Sequence, residues 1–356
     1  MKTVLVLLDG LGDRSYPSLG NRTPLEAAPT PNLDRLAALG CNGLYHASEP
    51  GRCLPSETAH YLMFGYGMDE FPGRGLLEAA GFGLPFGEAD VLCLAHLFHA
   101  DPVEEDGPLI CRETWKRLRA GEVELRGLYE GLTPFEVHGV DFRLHRVGGN
   151  EGILAMSGPV SPFESDSDPM ASGKPMARVV PFDPNPEPEN AERTARALNG
   201  FLAHCRRRLA AHPLNGDREA SGRPPLNFLA TQRCGRRIRV EPFADRWGVP
   251  GLLIASGPLF AGIASELDMT FRSVPDGSDP GSDLAERVCM ALEDTRHGFV
   301  HVHTKAPDEA AHRGDPEGKA EVIRSLDRGL EPLLEALDGS GDLLAAVTAD
   351  HATPCG

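Results

Sequence analysis

No apolar run in the 356 residues is long enough to cross a bilayer, so no membrane partner is expected. The eight cysteines (Cys41, Cys53, Cys93, Cys111, Cys205, Cys234, Cys289 and Cys355) are scattered without CxxC spacing. They read as reduced thiols of a cytoplasmic protein, not as a zinc ribbon or a disulfide framework. Positive charge is short as well: 35 Lys and Arg stand against 52 Asp and Glu, a formal net charge of −17. That field leaves no room for the dominant basic stripe of a nucleic-acid footprint. An anionic substrate would have to be received by cations gathered locally, as metal ions or arginines. There are no internal repeats, and low complexity is confined to a Pro-rich linker from Asp183 to Pro188.

What is present is the grammar of an α/β enzyme. The hydrophobic fraction of 41% and charged fraction of 24% are ordinary for a globular chain, and 40 Gly with 31 Pro imply many turns. The N-terminal MKTVLVLLDG is too short in apolar length for a leader and lacks a small-residue cleavage site, so Val4 to Leu8 reads as a buried strand. Asp9 then sits at the strand's C-terminal end, where open α/β sheets place ligands. Thr30-Pro31-Asn32 opens a helix that Gly40 stops. Ser56 to Phe64 is predicted helical, with Ser56 as its N-cap. Strands are expected at Leu226–Ala230, Leu252–Ala255, Phe299–Val302 and Leu343–Val347, and helices at Val240–Trp247, Leu284–Leu292 and Lys319–Leu337. Between residues 90 and 185 the pattern changes to short strands and an isolated helix around Trp115. The expectation is a doubly wound, mainly parallel α/β core over residues 1–89 and 186–356, with an inserted α+β domain at 90–185 that covers the substrate.

The candidate chemistry follows the strands. Asp9 follows the first, Asp308 and His312 follow Phe299–Val302, and Asp350-His351 follows Leu343–Val347. Asp308 and His312, four apart, share one face of a helical turn. Mixed Asp/His ligation suits Zn²⁺ or Mn²⁺. Each residue alone has a blander reading, as a turn former, a helix cap or a surface coincidence. Together they support a metallohydrolase-like α/β enzyme.

VLVLLDGLGDR, RTPLEAAPTPNLDRLAALG, CLPSETAHYLMFGY, HVHTKAPDEAAHRGD and VTADHATPC resemble, in this order, segments of the archaeal-type cofactor-independent phosphoglycerate mutases of the alkaline phosphatase superfamily. SDSDP around Asp168 and AHPLN around His212 are weaker echoes. The resemblance implies two divalent metal ions, Mn or Zn with Mg as a further option. Asp9, Ser56, Asp350 and His351 would hold one; Asp308, His312 and a further histidine would hold the other. It implies Ser56 as nucleophile, a phosphoserine intermediate and a small phosphorylated metabolite as substrate, with glycolytic 3-/2-phosphoglycerate interconversion first among the activities. The same scaffold also serves phosphomonoesterases and other phosphotransferases, and a degenerate non-enzymatic member is a third reading.

The chain departs from that pattern in three places. The further histidine would follow VTADHATPC, but the sequence given stops at Gly356: either it is cut short there, the reading preferred, or the second site is incomplete. The insertion strand reads VLCLAHLF where arginines are implied, and the EEDGPLICRE segment after it is acidic. Arg143, Arg146 and Arg112 are left as candidate substrate cations. A lysine implied within ASGPLFAGI is absent, and Lys305 stands beside the metal segment in its place.

Overall fold

The computed structural model describes residues 1–102, 107–339 and 341–356; the beginning of the acidic EEDGPLICRE segment lies outside the described residues. The strands along the chain are β1 (Lys2–Leu8), β2 (Val91–Pro102), β3 (Leu109–Glu113), β4 (Phe135–Val137), β5 (Val140–Gly148), β6 (Glu151–Ser157), β7 (Phe228–Arg236), β8 (Gly251–Ala255), β9 (Thr270–Ser273), β10 (Phe299–Thr304) and β11 (Leu343–Thr348). They divide between two compact units, one of residues 1–71 with 239–356 and one of residues 72–238.

The first unit is built on a parallel sheet of order β11-β1-β10-β8-β9. Its inner strands β1, β10 and β8 are short and largely buried because both faces are covered, as parallel sheets require. Val4, Val6 and Leu8 of β1 meet Ile254 of β8 and Val300 and Val302 of β10 in a core completed by Leu284, Val288, Leu326, Leu330 and Leu333 from helices. The register aligns the strand ends: Leu8 of β1 lies opposite Thr304 of β10, and Leu7 lies opposite Thr348 of β11. Three neighbouring strands therefore end level, all at their C-terminal edge.

The second unit carries a separate antiparallel sheet, order β3-β2-β6-β5-β4, with β7 also paired to β2. The long helix Pro188–Ala210 covers it through Ala195, Leu198, Phe201, Leu202 and Cys205. This unit is wider than the 90–185 insertion expected from sequence. Its extra extent has a physical cause: β7, read from sequence as a core strand at Leu226–Ala230, pairs with β2 from Val91↔Arg236 to Phe98↔Phe228. The helix Arg74–Gly81 also packs on β2 and β7.

Three further expectations are corrected. No helix forms at Trp115; the helix in that region is Glu122–Tyr129, opened by Gly121. The helix predicted at Val240–Trp247 shrinks to Phe243–Trp247. Lys319–Leu337 is two helices, Pro316–Gly329 and Glu331–Gly339, because Pro332 has no N–H to continue the first. The cysteine reading is also corrected, since Cys93 of β2 and Cys234 of β7 form a disulfide. Sequence spacing hides that pair because 141 residues separate two cysteines that only the β2–β7 pairing brings together. Among the described residues no helix is long and apolar enough to cross a membrane.

Candidate active site

The level strand ends of the first unit gather the acidic and histidine residues. Asp9 leaves β1, Asp350 and His351 leave β11, and Asp308 and His312 lie on the helix Ala306–His312 that follows β10. The helix Ser56–Met63 points its first residue into the same group. Ser56 Oγ is 3.5 Å from each carboxylate oxygen of Asp9 and 3.0 Å from His351 Nε2. His351 Nε2 lies 3.4 Å from Asp9 Oδ1 and 3.3 Å from Asp350 Oδ2. Asp308 Oδ2 is 3.3 Å from His312 Nε2, the i,i+4 contact expected from spacing. The structure thus brings all six sequence-predicted ligand residues into one neighbourhood of one unit.

Ser56 is not the N-cap expected from sequence. Pro55 takes that place in extended conformation and offers its carbonyl to the N–H groups of Thr58 and Ala59, leaving Ser56 as the first helical residue. Its hydroxyl is therefore not spent on a backbone cap. It still stands at the positive end of the helix.

Backbone and second-layer contacts fix the arrangement. Gly10 has φ +66°, and a Cβ there would lie 2.8 Å from Asp308 Cβ and 2.6 Å from Thr353 Oγ1, so only glycine lets these segments close on Asp9. Thr353 Oγ1 donates to Asp308 Oδ1 at 2.7 Å and lies 3.1 Å from His351 Nδ1, linking two ligand segments. The Gly10 N–H donates to Asp350 Oδ1 at 3.2 Å. His303 Nε2 lies 3.3 Å from Asp9 Oδ2. Beneath it His60 and His301 complete a buried imidazole group, with ring centres 5.3 Å and 6.1 Å from that of His303. Burial first, then the neighbouring His60, holds His301 and His303 well below the usual histidine range, so both rings are neutral. Sequence offers His301 or His303 as a stand-in for the missing second-site histidine, on the alternation His301-Val302-His303 in an otherwise apolar strand, and gives no signal for His60.

These residues fit a divalent cation. One donor atom each from Asp9, Asp308 and His351 lies within 4.8 Å of the others. Asp350 Oδ2 is buried without a hydrogen-bond donor. Burial, then the Asp308 carboxylate, pushes the Asp9 carboxyl upward, the behaviour of paired buried carboxylates that lack a counter-charge. A cation relieves all three strains at once. Oxygen and imidazole donors without sulfur suit Mn²⁺ or Zn²⁺.

The whole chain, residues 1–356, matches the metalloenzyme superfamily. It is 36% identical to the 2,3-bisphosphoglycerate-independent phosphoglycerate mutase 2 of Methanocaldococcus jannaschii, over 99% of this chain and 81% of the relative. Identity to the corresponding enzyme of Methanopyrus kandleri is also 36%, over 99% of this chain and 83% of that one. The chain belongs to this family of metalloenzymes. Among solved structures it resembles the cofactor-independent phosphoglycerate mutase of Thermoplasma acidophilum, with 30% identity, a TM-score of 0.61 and coverage of 98% of this chain and 87% of that one. A Pyrococcus horikoshii protein superposes with a TM-score of 0.74 at 26% identity, over 99% of this chain and 83% of that one. Metal binding follows from the family and agrees with the donor set.

The candidate substrate cations are dispersed. Lys305 precedes the helix Ala306–His312, with its Nζ 5.3 Å from the Phe260 ring centre. In the second unit Arg143 is exposed on β5, and Arg146 on the same strand pairs with Glu122. Arg112 lies on β3, 3.8 Å from Asp101. None of these three arginines lines the second unit's polar cavity of about 200 Å³, which is walled by Arg74, Lys116, Arg233, Asp168, Gln232 and Trp115 among others. His96 stacks on Trp115 at 4.2 Å there, and Gln232 Nε2 donates to Asp168 Oδ2 at 3.2 Å. Burial, then Arg74 and Lys116, pushes His96 down to about 3, which leaves a neutral ring in a wall where Glu78, Glu151 and Asp168 stand against the three cations. Sequence reading reaches Asp168 but misses the cations, because they come from separate elements with no local motif. His212, the other weak echo, caps the helix Pro213–Ala220 with its Nδ1 accepting from Leu214 N–H.

Proposed function

We propose that the chain is a metal-dependent phosphoglycerate mutase that interconverts 3- and 2-phosphoglycerate through a phosphoserine on Ser56. The observation that carries the reading is the position of Ser56 Oγ, 3.0 Å from His351 Nε2 and 3.5 Å from both Asp9 oxygens, at the start of a helix. Asp9, Ser56, Asp350 and His351 would hold one divalent cation, and Asp308 with His312 a second, weaker one. When bound, such cations lower the hydroxyl's pKa and neutralise the phosphoryl oxygens. The rest falls to the chain's own groups. Ser56 Oγ loses its proton and forms the O–P bond as the bond from phosphorus to the substrate oxygen breaks. The departing oxygen takes up a proton, and the helix N-terminus favours the phosphoseryl anion. Return of the phosphoryl group to the substrate's neighbouring hydroxyl completes an isomerisation with no net hydrolysis.

Mn²⁺ or Zn²⁺, with Mg²⁺ less suited, is the proposed metal, and the cytoplasm the proposed location. Lys305, Arg143 and Arg146 are the substrate cations suggested by sequence. Lys305→Ala is expected to raise KM for phosphoglycerate about 10–100-fold with a smaller change in kcat. An unchanged KM would remove Lys305 from substrate binding.

The deciding assay incubates the protein with 3-phosphoglycerate and each of Mn²⁺, Zn²⁺ and Mg²⁺, and follows 2-phosphoglycerate and free phosphate together. Isomer formation with little phosphate release is the expected result. Phosphate release from a broad panel of esters, with no isomer, would assign the same site to a phosphomonoesterase.

A further inference from the structure

The second unit contains another donor cluster, with different chemistry. Cys93 of β2 is fully buried and Cys234 of β7 half-buried beside it, and the Glu164 carboxyl closes on the pair. One donor atom from each of the three lies within 4.8 Å of the others. Glu164 is 2% exposed, and neither of its carboxylate oxygens has a hydrogen-bond partner. A buried carboxyl in that condition is costly unless something pairs with it. Its charged surroundings do not solve the problem. Asp166 and Glu187 also act on it, Arg236 is the one cation among its main influences, and that guanidinium is already paired with Glu187. The local excess is acidic, and what is missing is a cation.

We propose that, once the disulfide is reduced, Cys93, Cys234 and Glu164 bind one thiophilic divalent cation of the zinc class. Two thiolates and a carboxylate are a zinc donor set, with a fourth position left for water. Bond lengths of ~2.3 Å to sulfur and ~2.0–2.2 Å to oxygen need donor atoms roughly 4 Å apart, so only small side-chain shifts are required. The sequence of events balances. A dithiol reductant gives two electrons and two protons to the sulfurs, leaving Cys93 and Cys234 as thiols and the reductant as its disulfide. The cation then displaces a proton from each thiol to solvent, along with any proton on Glu164, as the two sulfur bonds and one oxygen bond form. A disulfide oxidant that takes two electrons from the thiolates and two protons from solvent, leaving as its dithiol, restores the Cys93–Cys234 bond and releases the metal. The site is distinct from the Asp9–His351 group, which contains no sulfur donor.

Cobalt(II) distinguishes the two sites, since only thiolate ligation produces a sulfur-to-cobalt charge-transfer band. The reduced, metal-free full chain is expected to develop that band with one equivalent of Co²⁺ and to lose it when Zn²⁺ is added. The oxidised protein should show none. Cys93→Ala combined with Cys234→Ala should remove the band, and Glu164→Gln should weaken cobalt binding at least tenfold. If the double variant does not fold, Cys234→Ser, at the half-buried position, gives the same reading with folding checked by circular dichroism. A reduced protein without the band, a band that survives loss of Cys234, or affinity unchanged in Glu164→Gln would each overturn the proposal.

Discussion

Ser56→Ala is expected to lower turnover by at least about 10⁴-fold while leaving the metal-free protein as stable as before. The size of the loss follows from removing the nucleophile of a covalent mechanism, which ordinarily costs several orders of magnitude in kcat. The lack of a stability cost follows from where the residue sits. Ser56 is the first residue of its helix and makes no capping bond, since Pro55 occupies the cap position. Alanine is the better helix former, so no destabilisation is expected. The hydroxyl's remaining neighbours are Asp9 and His351, and metal affinity should fall with the loss of one donor. The rival nucleophile is Thr58, two residues on and buried, and thus about 200° around the helix from Ser56. Acid-quenching during turnover and mapping the phosphorylated peptide separates the two. Label on Thr58, or full activity in Ser56→Ala, would sink the assignment.

The parts of this molecule legible in sequence are those whose signal is local. Val4–Leu8 is apolar at every position because β1 lies inside a parallel sheet, and Asp9 follows it because strand ends are where that sheet meets ligands. Asp308–His312 and Asp350-His351 can be read the same way, and the adjacency of β11, β1 and β10 makes them neighbours. What is not legible depends on partners far along the chain. A run such as Leu226–Ala230 suits either sheet, and its pairing with β2 decides which one it joins. Cys93 and Cys234 look unrelated until that same pairing is made. Ser56 falls one residue from its expected place, because Ser and Pro55 both suit a helix start and backbone geometry alone separates cap from first turn. Lys319 departs furthest from its sequence signal. It opens a stretch the sequence marks only as a helix, yet it is among the largest fully buried side chains.

Lys319→Met is expected to cost about 3–5 kcal/mol of unfolding free energy and to weaken metal binding about 10–100-fold. Lys319 Nζ donates to Asp13 Oδ2 at 2.9 Å, to Gly10 O at 2.8 Å, to Thr353 O at 2.9 Å and, less closely, to Gly12 O at 3.2 Å. One ammonium therefore ties the loop after Asp9 to the segment that carries His351 and Thr353. Both ion-pair side chains are essentially buried, at 0% exposure for Lys319 and 1% for Asp13. Removing only the lysine strands a buried carboxylate, and that uncompensated charge is the source of the large cost. Pairing Lys319→Met with Asp13→Asn should recover much of the stability. Metal affinity should stay below the parent's, since the double variant lacks the ammonium that bridges the Gly10 and Thr353 carbonyls. Denaturant unfolding of the metal-free protein, set beside calorimetric metal titration, measures the two effects separately. The pH dependence gives an independent sign. Burial pushes the Asp13 carboxyl up, but Tyr16 Oη and Lys319 Nζ outweigh it and hold the group below the usual aspartate range. The folded state thus binds this proton less readily than the unfolded chain does. The associated stability is present above the ordinary aspartate pKa and is lost as pH falls through the lower, folded value. In Lys319→Met that acid-side loss should shrink, because the carboxyl no longer has its ammonium partner. A single variant that unfolds within about 1 kcal/mol of the parent, with an unchanged acid limb, would show that the lysine is not the anchor of the metal-bearing segments.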